Sequence, residues 1–313
     1  MPQASATAGT GLAAEGVSVA YGRAAVVEDL DLAIPPRAFT ALIGSNGSGK
    51  STILKTLGGL LSPRAGRVLL DGRPLSRLTT KEIARGVGML AQGPVAPEGL
   101  TVLDLVRQGR YPHLPLFGRA TERDEMACAE ALALTGTTEL AGRSLDTLSG
   151  GQRQRAWIAM TLAQETPILL LDEPTTFLDL AHQIEVMELL SRLVAERGKT
   201  VVAVLHDLNQ AARHADHIVL LKAGAVVAAG RPEDVVTAER IADVFSVAVR
   251  VVPDPVTATP MCIPLPCVTG SMHPAADDCC AMTTRPRFMP AKNRCLQRGP
   301  LSAWPDSRNE IKG

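Results

Sequence analysis

Apolar positions along this chain fall into short runs of two kinds. Val17–Tyr21 and Val26–Ile34 read as strands, the second alternating around Asp29 and Asp31. Phe39–Ile43 is apolar throughout and runs straight into a glycine-rich turn, after which Lys50–Leu60 reads as a helix. Val68–Asp71 is another short strand. From Gly93 to about Ala163 the spacing turns helical, with Val102–Arg110, Glu122–Leu134 and Gly151–Gln164 as the predicted helices. Ile168–Leu171 and Val201–Leu205 then lack polar alternation, as strands buried on both faces of a parallel sheet do. Ala181–Glu196 between them supplies the crossover helix, and Ile218–Leu221 with Val226–Ala229 reads as a hairpin. The pattern predicts an α/β body, residues 15–252, with a helical insertion over about 93–160.

The pattern breaks near residue 253. The stretch from Pro253 to Gly313 holds ten of the 22 prolines and no sustained period, so it reads as an irregular, disordered tail, of which Val251–Leu265 is expected to pack on the body. Residues 1–14 are small and polar. They lack the basic start and apolar run of a secretory signal, which points to a disordered head on a cytosolic protein.

Composition narrows the function classes. Hydrophobic residues make up 46% of the 313 positions, enough for a globular core. Lys+Arg and Asp+Glu both number 32, and this balance argues against a general nucleic-acid binder. No run approaches the ~18 apolar residues that span a bilayer. Five of the six cysteines follow residue 260, so the body does not rest on a disulfide framework. Cys267, Cys279, Cys280 and Cys295, with His273, lack the paired C-x2-4-C spacing of zinc knuckles. An unstructured extension fits them better than a metal- or redox-sensing tail.

Gly44-Ser45-Asn46-Gly47-Ser48-Gly49-Lys50-Ser51-Thr52 matches G-x-x-x-x-G-K-[ST]. Glycines let the backbone curl so that successive N–H groups point at phosphate oxygens, and the following helix adds its positive dipole end. Lys50 is then placed for the β/γ-phosphates and Ser51 for Mg²⁺. The strand before and the helix after are the context this reading needs.

Four further constellations stand out. Ile168–Leu171 ends in Asp172 and Glu173, the first placed to hold Mg²⁺ and the second to polarise an attacking water. Leu148-Ser149-Gly150-Gly151-Gln152 opens a helix, with Ser149 as its cap and glycine N–H groups open to an anion. A second anion-binding terminus about 100 residues from the first suggests that it closes on a nucleotide held by another copy. His206 follows a strand parallel to the one carrying Glu173, near the γ-phosphate. Gln92 opens the helical insertion; alone it means nothing.

In this order the motifs resemble those of the ABC-transporter ATPases, over about residues 15–252. Tyr21 matches the adenine-stacking position, Gly44–Thr52 the Walker A loop, Gln92 the Q-loop, Leu148–Gln152 the signature, Ile168–Glu173 Walker B, Asp179 the D-loop and His206 the H-loop. The resemblance implies a P-loop NTPase of ABC type, with a mainly parallel core sheet, an antiparallel β subdomain and a helical insertion. It implies that two such domains sandwich two ATP molecules head to tail, each held by Walker A of one copy and Ser149–Gly151 of the other. Gln92 would contact Mg²⁺ and the membrane subunit, Asp179 would act across the dimer, and Glu173 and His206 would carry hydrolysis.

Gly109-Arg110-Tyr111-Pro112-His113, Asp172–Asp179, Leu205–Ala211 and Val252–Thr257 are similar to the importer subfamily for iron–siderophore, haem and cobalamin complexes. By that resemblance the partners are a second copy of the chain, transmembrane permease subunits and, indirectly, an extracytoplasmic siderophore-binding protein. The location is the cytoplasmic face of the membrane, peripherally attached, with no nucleic acid involved. Haem or cobalamin import is the alternative within this class. Two readings from other classes fit less well. Soluble ABC ATPases that act on ribosomes or DNA usually carry two nucleotide domains or a long coiled-coil insertion. A module that holds ATP without hydrolysing it would not need Lys50, Glu173 and His206 together.

Overall fold

The computed structural model describes residues 11–22, 24–115, 119–176 and 178–266. The chain opens with β1 (Leu12–Tyr21), β2 (Ala24–Ile34), β3 (Phe39–Gly44), α1 (Lys50–Leu57), β4 (Ala65–Leu70) and β5 (Arg73–Pro74). There follow α2 (Thr80–Gly86), β6 (Val87–Leu90), α3 (Val102–Gln108), α4 (Glu122–Leu134), α5 (Gly150–Ala163), β7 (Ile168–Asp172) and α6 (Leu180–Arg197). The rest is β8 (Thr200–Val204), α7 (Leu208–His214), β9 (His217–Lys222), β10 (Ala225–Gly230), α8 (Pro232–Val235), α9 (Ala238–Phe245), β11 (Val249–Pro253) and β12 (Pro260–Pro264).

Six strands form the core sheet in the order β10-β9-β3-β8-β7-β6. All pairs are parallel except β10 with β9. Every residue of β3, β7 and β8 is buried, which explains their unbroken apolar runs. The edge strand β10 alternates between exposed and half-buried positions, as a strand with one open face should. A second, antiparallel sheet has the order β2-β1-β4-β5. The two sheets share an apolar layer in which Val19, Val27 and Leu32 meet Leu42, Ile53 and Leu54.

The helical insertion has its own small core. Val102, Leu105 and Val106 of α3 meet Cys128, Ala131 and Leu132 of α4 and Ala156 and Ala159 of α5. Each of these helices starts with a reciprocal capping box: Thr101 with Asp104, Thr121 with Asp124, and Ser149 with Gln152. Arg110 fastens the insertion to the body. Its guanidinium is 3% exposed and donates to Asp124 at 2.9 Å, Glu165 at 2.8 Å and the Ala163 carbonyl at 2.6 Å.

The structure revises both ends of the expected body. Residues 12–14 do not belong to a disordered head. Leu12 is 1% exposed in β1 and pairs with Ile34 on one side and Leu70 on the other. The tail also starts later than residue 253, because β11 and β12 form a hairpin. Its prolines cost the ladder nothing. The Cys262 N–H points out of the hairpin to Asn209 Oδ1, at 2.8 Å, so Val251↔Cys262 is a pair without ladder hydrogen bonds. Pro253↔Pro260 and Val249↔Pro264 share its parity, where a missing N–H is not felt. Cys267, His273, Cys279, Cys280 and Cys295 lie outside the described residues. Among the described residues, Cys128 and Cys262 are free and buried, and no helix is long and apolar enough to cross a membrane.

Candidate functional site

β3 and α1 are joined by a loop that only this sequence pattern allows. Gly47 and Gly49 take φ of 77° and 91°, left-handed values that glycine adopts without strain. At Gly44 a methyl group would lie 2.3 Å from the Leu221 carbonyl oxygen and 2.6 Å from Ser48 Oγ, so the close approach of β9 demands glycine there. The loop closes with a Ser48 N–H to Ser45 carbonyl bond of 3.1 Å. Gly49 caps α1 without any side-chain hydrogen bond, which leaves that helix end open to an external acceptor.

Lys50 reaches back over the loop. Its Nζ donates to the Gly44 and Ser45 carbonyls, both at 2.9 Å. Burial pulls its pKa down from the usual lysine value, opposed by the nearby charges of Glu173 and Asp172. Ser51 turns toward the tip of β7, and its hydroxyl donates to Asp172 Oδ1 at 2.8 Å. Burial pushes the Asp172 carboxyl up from the ordinary range, and its Oδ2 is buried without a partner. A buried carboxylate oxygen with nothing to accept is what a cation would satisfy. Among the described residues no group of three or more His, Cys, Asp or Glu side chains is placed to hold a metal ion. A hydroxyl and one carboxylate suit Mg²⁺ instead, which takes few protein ligands and completes its shell with phosphate and water oxygens.

One residue further on, Glu173 sits at φ 55°, a left-handed conformation unusual outside glycine. Its carboxylate is held at both oxygens. His206 Nε2 lies 2.7 Å from Oε1, and Thr176 Oγ1 donates to Oε2 at 3.0 Å. Burial alone would raise this carboxyl, but the donors from His206 and Thr176 outweigh it and hold Glu173 below the usual glutamate value. Glu173 is therefore ionised at neutral pH. The phosphate loop, Glu173 and His206 line one cleft of about 320 Å³, with Val26 on its wall.

The other expected residues lie elsewhere. Tyr21 ends β1 with half of its surface exposed and does not line this cleft. Nor do Ser149–Gln152, where Ser149 caps α5 and the capping box is closed on itself: the Gln152 N–H donates to Ser149 Oγ at 3.3 Å and the Ser149 N–H to Gln152 Oε1 at 3.2 Å. Asp179 caps α6 and pairs with His182. Gln92, expected beside Mg²⁺, follows β6 and does not line this cleft. Sequence reasoning passed over Thr176, Val26 and His182. Only Thr176 carried a signal, a hydroxyl three residues past the acid it bonds. Val26 and His182 become visible only once strands and helices are packed.

Known proteins are similar to this chain in sequence and in fold. The ABC transporter family model matches residues 27–176. The ferric enterobactin transport ATP-binding protein FepC of Escherichia coli (strain K12) is 52% identical over 254 residues, covering 81% of this chain and 94% of the relative. The iron(3+)-hydroxamate import ATP-binding protein FhuC of Bacillus subtilis (strain 168) is 48% identical, covering 80% of this chain and 94% of its own length. Among solved structures, an inward-facing metal-chelate-type ABC transporter superposes with a TM-score of 0.71 at 29% identity, covering 82% of this chain and 97% of the other. The dimeric bacterial ABC transporter cassette MJ0796 gives 0.64 at 31%, covering 70% and 98%.

Proposed function

The chain belongs to the ATP-binding subunits of ABC transporters, and from that premise we propose that it hydrolyses ATP to drive import of iron(III)–siderophore complexes. The cargo class rests on relatives about half identical over four-fifths of the chain, named for ferric enterobactin and iron-hydroxamate transport. The observation that carries the chemistry is the Glu173 carboxylate, kept ionised and aimed by His206 and Thr176 beside a phosphate loop.

The reaction is transfer of the terminal phosphoryl group to water, in which positioning and charge stabilisation supply most of the acceleration. Loop N–H groups and the open end of α1 take the phosphate oxygens. Lys50 exchanges its two carbonyl partners for the β- and γ-phosphates. Ser51 and Asp172 would hold Mg²⁺, which would supply charge neutralisation at the phosphates. Glu173 accepts the proton of the attacking water. His206 fixes Glu173 Oε1 and faces the γ-phosphate. Tyr21 offers its ring to the adenine.

The working unit in this reading is two copies, with Ser149–Gly151 of a second copy closing each cleft. Permease subunits dock on the insertion near Gln92, an extracytoplasmic binding protein supplies the cargo, and the ATPase sits at the cytoplasmic face of the membrane. The test is siderophore-dependent iron uptake in cells carrying the wild type, Glu173→Gln or no copy. Uptake should require the intact glutamate. Uptake indifferent to it, in cells whose purified protein still hydrolyses ATP, would keep the ATPase and reject the cargo.

A further inference from the structure

His182 has no part in the cleft chemistry, yet it touches both segments that this reading turns toward a second copy. Asp179 Oδ1 accepts from the His182 backbone N–H at 3.0 Å and lies 2.7 Å from His182 Nδ1. A carboxylate on that nitrogen assigns the ring proton to Nδ1. The same imidazole lies over the backbone of Gly151, where a methyl group would come within 3.1 to 3.3 Å of three ring atoms. A side chain at Gly151 would therefore push the ring away from Asp179. A second rung continues the contact: Arg155, one turn along α5, pairs with Glu185, one turn along α6, at 3.3 Å.

We infer that His182 pins the Asp179 turn to the signature backbone, so that one copy presents both segments as a single preorganised unit. The inference rests on the two-copy reading above. Its physical content is entropic. If each segment had to be ordered separately as the copies close, that cost would fall on association, whereas a pinned pair has borne it on folding. His182 is a positioning residue, acting through Asp179 and Gly151 rather than on nucleotide.

The experiment uses the full chain in the Glu173→Gln background, which should hold ATP without turning it over. Dimer formation with ATP is followed by light scattering, and the affinity of the dilute monomer for a fluorescent ATP analogue is measured separately. Glu173→Gln should dimerise. Adding His182→Ala should raise the protein concentration for half-dimerisation by about tenfold or more with analogue affinity unchanged. His182→Asn, which keeps a short donor for Asp179, should recover most of the loss. In the otherwise wild-type chain, His182→Ala should lower kcat and leave KM for ATP nearly unchanged. Equal dimerisation with and without His182 overturns the pin, and so does an equal fall in monomer affinity. A Glu173→Gln chain that stays monomeric with ATP overturns the two-copy reading itself, a result distinguishable from the first two. The ring is partly exposed, so the alanine variant should keep its fold.

Discussion

The cleft between β3 and β7 and the surface carrying Ser149 are built on opposite plans. In the cleft the functional groups already touch: Lys50 its loop, Ser51 Asp172, and His206 Glu173. One polar atom there, Asp172 Oδ2, is buried with no partner, which a cation entering beside Ser51 would satisfy. The signature segment instead satisfies itself through its capping box, with Ser149 and Gly150 exposed to solvent. In the two-copy reading proposed above, the chemistry is assembled within the chain and the exposed segment is what a second copy would supply.

That contrast can be broken by variants that touch one half only. Glu173→Gln should have the largest effect, lowering turnover by roughly 10²–10⁴-fold while ATP binding persists. The check is steady-state hydrolysis beside nucleotide binding, and unchanged turnover would remove Glu173 from the base role. Ser149→Arg should lower turnover by about two orders of magnitude, the size of losing preorganised donors at a reacting charge, yet leave monomer affinity intact. Lys50→Ala should show the reverse signature, weakening monomer affinity by roughly 1.5–3 kcal/mol in a titration at low protein concentration. If Ser149→Arg weakens the monomer as much as Lys50→Ala does, the division between the halves is wrong.

The smallest effect concerns what holds the signature half in place. Two Thr121 hydrogen bonds and the Arg110 guanidinium hold Asp124 down to about 2. A depressed carboxyl stabilises the fold above its unfolded value, about 3.9, and the benefit is lost as pH falls through the folded one. Between pH 4 and pH 2 the wild type should therefore lose stability that Asp124→Asn, already less stable at neutral pH, no longer has to lose. Thermal unfolding of both proteins across that range checks it. Parallel pH curves would mean that Asp124 does not tie the insertion down.

Legibility in the sequence followed how local each constraint is. The phosphate loop, Asp172–Glu173 and the signature could be picked out as candidates because the chemistry expected of them needs particular residue types at fixed, adjacent positions. The inner strands were readable because double burial leaves an unbroken apolar run. The β11–β12 hairpin was not, since its prolines look like punctuation until pairing parity shows that their missing N–H groups are not needed. Residues 12–14 hid for a related reason. Ala13 and Ala14 say little alone, and burial came from strands β2 and β4 on either side. His182 was invisible because its partners, three residues away in one case and 31 in the other, meet only when α5 and α6 pack.

The left-handed backbone of Glu173 has a consequence for how this protein would evolve or be engineered. A non-glycine residue held in that conformation stores about 1–3 kcal/mol, which glycine would release. Glu173→Gly would release that strain but give up the contacts with His206 and Thr176 and, in the proposed reading, the base. If Glu173 is the base proposed above, the strain at this turn is endurance exchanged for turnover.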